Sequence, residues 1–188
     1  MLNPGFVVLL SSAHAGRQNV MTAAWHMPVS FKPPLVAVSV APTRFSAGLI
    51  QASGVFAVNI PGCNLLPAVQ YCGTVSGRDG DKFARAGLTP VPAKTIGAPL
   101  VAECLGHIEC RVAATYEVGD HLVFVGEVVA ASAAEGLFDG TWCLGGAQET
   151  LPVSHLGGTS YLLPGRLVNM TSCKDPTGET RFRCDKNC

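Results

Sequence analysis

The sequence predicts a mainly β chain with short helices (an α+β chain in class), folded as a closed β-barrel with helical decorations. Three observations carry that prediction. Short apolar or β-branched runs recur along the chain, bounded by Gly, Pro and Asn. The stretches between them suit only short helices, and no βαβ spacing is present. In 188 residues, 48% hydrophobic and 14% charged content implies a large buried area and one domain with its own core.

The elements follow in chain order. Residues 6–10 form an apolar run suited to a buried strand, and residues 19–25 read as a strand ending in an aromatic. Residues 35–40 follow Pro33-Pro34, which sets an extended entry. Thr43 is placed to cap a short helix with Phe45 and Leu49 on one face. Residues 55–60 are β-branched and end at Pro61-Gly62, a turn. Short helices are expected over residues 64–72 and from near Asp79 to a stop at Gly87. In residues 106–112, His107, Glu109 and Arg111 alternate with Ile108, Cys110 and Val112, as in a half-exposed strand with one polar face. Residues 121–129 are nearly apolar on both faces, so this strand should be central or covered by another subunit. Residues 151–155 and 159–163 read as short strands flanking Gly157-Gly158. Residues 1–173 are expected to form the domain, and residues 174–188 a polar tail outside the core.

Thirteen basic residues balance thirteen acidic ones, so no basic face is implied and nucleic acid and anionic membranes are poor partners. No apolar run approaches the ~20 residues of a membrane helix. The first sixteen residues lack the features of a signal peptide, so the expected compartment is the cytoplasm. Eight cysteines are scattered without any Cys-x-x-Cys, which reads as small buried hydrophobes rather than disulfides. Cys104 and Cys110, six residues apart in an expected strand, should face the same side. Cys184 and Cys188 offer only two soft ligands, so no metal site is expected.

Chemistry concentrates in three places. The run Asn19-Val20-Met21-Thr22-Ala23-Ala24-Trp25 lines up small residues, polar side chains and backbone amides, as a flat heteroaromatic ring requires. Arg44-Phe45-Ser46 and the segment from Ser76 to Phe83 are turn-to-helix junctions with a cation beside backbone N–H groups, which suits a tethered phosphate. Together they point to a flat, phosphorylated cofactor. The fingerprints of dinucleotide folds, phosphate loops, zinc proteases and serine hydrolases are all absent.

With Tyr71-Cys72-Gly73, Ser76-Gly77-Arg78, Asp81-Lys82-Phe83, Gly119-Asp120-His121 and Gly126-Glu127-Val128 following in order, the chain resembles the flavin reductase-like family. It is most similar to the flavoredoxin and ferric-reductase branch, whose members are FMN-binding split barrels. The resemblance runs to about Tyr161 and implies a homodimer with FMN near the subunit interface. It also implies an oxidoreductase, with NAD(P)H as donor and free flavin, ferric iron or a redox protein as acceptor. A bound-flavin electron carrier with little NAD(P)H turnover is the alternative, and a flavin-binding module without turnover a weaker one.

Carried over residue by residue, Asn19, Val20, Met21, Thr22, Ala23 and Trp25 should lie along the isoalloxazine ring, with Asn19 and Thr22 donating hydrogen bonds. Arg44, Phe45 and Ser46 should meet the FMN phosphate, and Ser76, Gly77 and Lys82 the phosphate or ribityl chain. Arg44 and Lys82 are both expected at the pocket rim. Cys72 and Gly73 should approach the cofactor, and Tyr161 should close the pocket. His121 is the candidate catalytic residue, bonding the cofactor or placing the nicotinamide.

Overall fold

In a computed structural model, the structure describes residues 5–143, 150–165, 170–174 and 180–184. The first half contains β1 (Gly5–Phe6), β2 (Val8–His14), β3 (Arg17–Ala23), β4 (His26–Phe31), β5 (Pro34–Val40), α1 (Phe45–Ser53) and β6 (Val55–Ile60). Then come α2 (Leu66–Thr74), α3 (Lys82–Ala86), β7 (Pro90–Val91), β8 (Leu100–Val101), β9 (Gly106–Val118) and β10 (His121–Ala133). The chain closes with β11 (Ser154–Gly157), β12 (Ser160–Leu162), β13 (Met170–Lys174) and β14 (Thr180–Cys184).

The main sheet has seven antiparallel strands in the order β3-β2-β6-β9-β10-β5-β4. Its two edges, β3 and β4, are consecutive in the chain, joined through Ala24 and Trp25. The Ser39 amide donates to the Trp25 carbonyl at 2.9 Å, tying that junction to β5. The sheet therefore curls into a cylinder whose seam is closed by the chain itself more than by a hydrogen-bond ladder.

Two apolar clusters explain the composition. Val8 and Leu10 on β2 point inward to meet Val38, Phe56, Cys110 and Phe124, with Ala47 and Ile50 of α1 packed on the same cluster. Val7, just before β2, and Leu9 on β2 pack in the second cluster, with Val69, Cys72, Phe83 and Val101. A segment buried on both faces must be apolar throughout, which is why residues 7–10 lack alternation; Phe6, expected in the same buried run, is instead exposed. β10, central between β9 and β5, alternates instead: Leu122, Phe124 and Gly126 are buried, while Val123 and Val125 on the other face are half-buried. Gly126 on β10 has a packing cause, because a Cβ there would sit 2.5 Å from Phe56 Cζ.

Several local expectations change. The N-terminal run breaks at Val7, whose amide donates to Val153 at 2.8 Å. Thr43 is not the cap of α1: Arg44 holds that position and makes no side-chain cap bond. Cys104 lies outside the strands, after β8, so Cys104 and Cys110 fall in different clusters. Glu109, expected on a polar face, is 4% exposed. It is buried because its carboxylate accepts from the amides of Lys94 and Thr95 and from the Thr95 hydroxyl, at 2.6–2.9 Å. β14, in the expected tail, pairs with β13, which straddles the expected boundary at residue 173; residues 175–179 and 185–188, including Cys188, lie outside the described residues. Among the described residues, no helix is long and apolar enough to cross a membrane.

Candidate cofactor site

Two adjoining cavities open along the seam. The wider, about 380 Å³, is lined by residues 21–25 of β3 and its exit, the end of β5 with Ser39 and Val40, and Gln70, Gly73 and Thr74 of α2. His121, His155, Gly158 and Tyr161 complete it. The second, about 250 Å³, lies between the start of α1 and the turn after α2. Asn19, Arg44, Phe45, Ser46, Cys72, Ser76, Gly77, Arg78 and Lys82 line it. Met21, Thr22, Arg44 and Gly73 border both, so the cavities form one groove.

The wide end is flanked by paired rings. Trp25 and His121 stand 4.9 Å apart between centroids, tilted by 38°. His121 Nδ1 lies 2.7 Å from the Asp120 carboxylate, which holds the ring's orientation. That hydrogen bond keeps the Asp120 carboxyl below its ordinary range. Across the groove, His155 and Tyr161 are 5.2 Å apart. The Tyr161 hydroxyl donates to Gln70 Oε1 at 2.7 Å, and burial raises its pKa.

The narrow end is polar and cationic. Asn19 Nδ2 donates to Ser46 Oγ at 2.8 Å, leaving the Ser46 proton free to point elsewhere. Asn19 Oδ1 is buried and has no partner. A second buried amide, Asn59, shows the contrast. Its nitrogen donates to the Leu9 carbonyl and Ser11, and its oxygen accepts from the Val101 amide. An orphaned buried acceptor is costly unless a ligand donor meets it. Gly77 must lack a side chain, since a Cβ would overlap Asn19 Oδ1 and stand 2.8 Å from Phe45 Cδ1.

Lys82 corrects the expected rim position. It is 4% exposed, and its ammonium donates to the Cys72 carbonyl at 2.6 Å. Burial lowers its pKa; Cys72 offsets part of the drop and Arg44 adds to it. Arg44 is exposed at the α1 N-terminus, as the rim expectation requires. Burial pushes the Cys72 thiol up to about 11, so it is no nucleophile at neutral pH.

Of the expected residues, only Val20 lies outside both cavities. It points into the cluster beneath α2, so it offers the groove backbone alone. Thr22 borders the groove, yet its hydroxyl donates to the Val69 carbonyl at 2.5 Å, so that proton is already committed. Arg78, Gln70 and His155 were missed as site residues. Arg78 stood inside a quoted motif; nothing in their local sequence marks Gln70 or His155, which reach the groove through tertiary packing.

The groove suits a flat ring on a phosphorylated tether: a wide chamber, then a polar end with an orphaned acceptor, three cations and a helix N-terminus. Residues 1–150 match the flavin reductase like domain. A protein of Aeropyrum pernix is 38% identical over 91% of this chain, which spans 64% of that relative's length. The NADH-dependent FAD reductase of Streptomyces globisporus is 35% identical over 64% of this chain and 68% of its own. Flavoredoxin from Methanosarcina acetivorans superposes with a TM-score of 0.80 at 29% identity, covering 90% of this chain and 89% of its own. An FMN-binding protein from Thermus thermophilus gives 0.75 at 27%, covering 87% and 88%. By its sequence match, its curled seven-stranded sheet and the groove along its seam, the chain belongs to the flavin reductase-like family and has that family's split-barrel fold.

Proposed function

We propose that this chain binds FMN in the groove and passes electrons from NAD(P)H to free flavin, ferric iron or a partner protein. The carrying observation is the continuity of the ring-sized chamber with a cationic end that holds the unpartnered Asn19 Oδ1. The name of the Streptomyces relative supports reduced nicotinamide as donor, and the Thermus neighbour supports FMN.

When bound, FMN supplies the redox chemistry, taking a hydride from reduced nicotinamide and releasing electrons to an acceptor. The chain's own residues bind and orient. Backbone groups of residues 21–25 would flank the ring, and Asn19 Oδ1 would accept from a ribityl hydroxyl. Ser46, Arg44, Arg78 and Lys82 would hold the phosphate with charge-assisted bonds. Gly73 would let the ring approach α2, and Tyr161, braced on Gln70, would shield it from water. Trp25 and His121 stand at the chamber wall, suited to stacking an incoming nicotinamide so that transfer becomes effectively unimolecular. His121, oriented by Asp120, is the residue assigned to that placement.

The reading includes a cytoplasmic compartment and a homodimer. Exposed Met27, Val29 and Phe31 on the edge strand β4 support the second, being more apolar surface than an isolated edge strand usually shows. The test is anaerobic mixing of the flavin-loaded protein with NADH or NADPH while flavin absorbance is followed. Rapid bleaching supports the reductase. The likeness to flavoredoxin favours a second reading, an electron carrier; slow bleaching with both nicotinamides but fast reduction by dithionite would select it. A chain that holds no flavin would end both.

A further inference from the structure

We propose that Arg78 straps the phosphate end of the groove shut, making this chain select a flavin mononucleotide over a flavin dinucleotide; the proposal rests on the FMN reading above. Arg78 belongs to the turn between α2 and α3, yet its Nη1 donates to the Thr43 carbonyl at 2.8 Å, just before α1. Its guanidinium also lies 5.7 Å from the centre of the Phe45 ring, which takes Arg17 at 4.4 Å as well. Gly77, beside Arg78, is seated so closely on Asn19 and Phe45 that no side chain fits. These contacts tie the turn to the helix start across the polar cavity.

The position of the tie gives it a consequence. The polar cavity meets the ring chamber at Met21, Thr22, Arg44 and Gly73, and its other wall is the Ser76–Arg78 turn against the α1 start. A mononucleotide ends at a terminal phosphate, so nothing needs to pass that wall. A dinucleotide continues from the same phosphorus into a second phosphate, a ribose and an adenine. That extension must displace the Arg78 hydrogen bond and its ring contact. Charge points the same way. A terminal phosphate carries nearly two negative charges for Lys82, Arg44 and Arg78 to neutralise, whereas the corresponding phosphate of a dinucleotide's pyrophosphate carries one. The guanidinium has further N–H donors for the phosphate while one is committed to Thr43.

The experiment compares FMN, FAD and riboflavin binding by flavin fluorescence quenching in the parent, Arg78→Ala and Phe45→Leu. Arg78 is exposed, so Arg78→Ala should fold, and Phe45→Leu loosens the strap by removing its ring contact while keeping every cation and the Thr43 hydrogen bond. The parent should prefer FMN over FAD by at least about a hundredfold. Arg78→Ala should weaken FMN about ten- to a hundredfold, as loss of a charge-assisted bond predicts, while FAD binds as well as before or better. In Phe45→Leu the FMN preference should shrink mainly through tighter FAD binding. An FMN preference as large in both variants as in the parent overturns the strap, as does a parent that takes FAD as tightly as FMN. Parent affinity for FMN tests the underlying reading separately: tight FMN with unaltered discrimination removes the strap alone, and no FMN binding removes both.

Discussion

The Lys82 ammonium donates to the Cys72 carbonyl at 2.6 Å, from a side chain that is only 4% exposed and also borders the polar cavity. An ammonium has three N–H donors, and the carbonyl takes one. Burial and the nearby like charge of Arg44 both lower its pKa, so it is a cation with little compensating charge around it.

The first prediction follows from that imbalance. Lys82→Met keeps the buried stem and removes the charge, so FMN affinity should fall about ten- to a hundredfold with riboflavin nearly unchanged. Arg44→Ala should act in the same direction. Without flavin, Lys82→Met should melt no lower than the parent, because it removes a poorly paired buried charge. Equal loss of riboflavin would mean that Lys82 acts through the fold.

The aromatic pair at the chamber mouth gives a second. His121→Ala removes the ring packed 4.9 Å from Trp25 but touches nothing in the polar cavity. FMN retention should stay near the parent level while the rate of flavin reduction by NADH drops about tenfold or more, the scale expected when a reactant loses orientation. Stopped-flow absorbance under anaerobic conditions reads both. An unchanged reduction rate would take His121 out of nicotinamide placement.

Glu109 carries a pH prediction. Burial raises its pKa, but hydrogen bonds from the Thr95 hydroxyl and the amides of Lys94, Thr95 and Ile96 outweigh burial and leave it below the ordinary value. A carboxyl depressed in the folded state stabilises above its unfolded pKa, and that contribution is lost as pH falls through the lower folded value. Glu109→Gln should therefore cost about 1–3 kcal/mol at neutral pH, with a penalty that shrinks as the parent's carboxylate is protonated. Urea unfolding across pH 3–7 provides the comparison; a penalty independent of pH would contradict it.

Assembly supplies the fourth. Light scattering should give about twice the 19.5 kDa chain mass. Phe31, 95% exposed on β4, is the residue whose change to Glu should shift that mass toward a monomer without altering the far-ultraviolet dichroism. A monomeric parent that still holds FMN would refute the dimer.

What the sequence by itself determined was local. The end of α3 was legible because Gly87 adopts the left-handed cap, whereas its start falls not near Asp79 but at Lys82, after Asp81 accepts from the Phe83 and Ala84 amides. The apolar character of residues 121–129 likewise announced a central strand, although only one face of β10 is fully buried. Tertiary structure alone decided the rest. Periodicity put Glu109 on a polar face, but the amides that bury it come from a loop fourteen and fifteen residues away. Tyr161 is braced by Gln70 from 91 residues away, and Arg78 by the Thr43 carbonyl from 35. Lys82 was expected as a phosphate contact at the pocket rim, but the carbonyl of Cys72, ten residues back on α2, takes its ammonium below the surface. Spacing along a chain specifies which face a side chain occupies; which groups meet it there depends on the strands and helices that packing brings across from elsewhere.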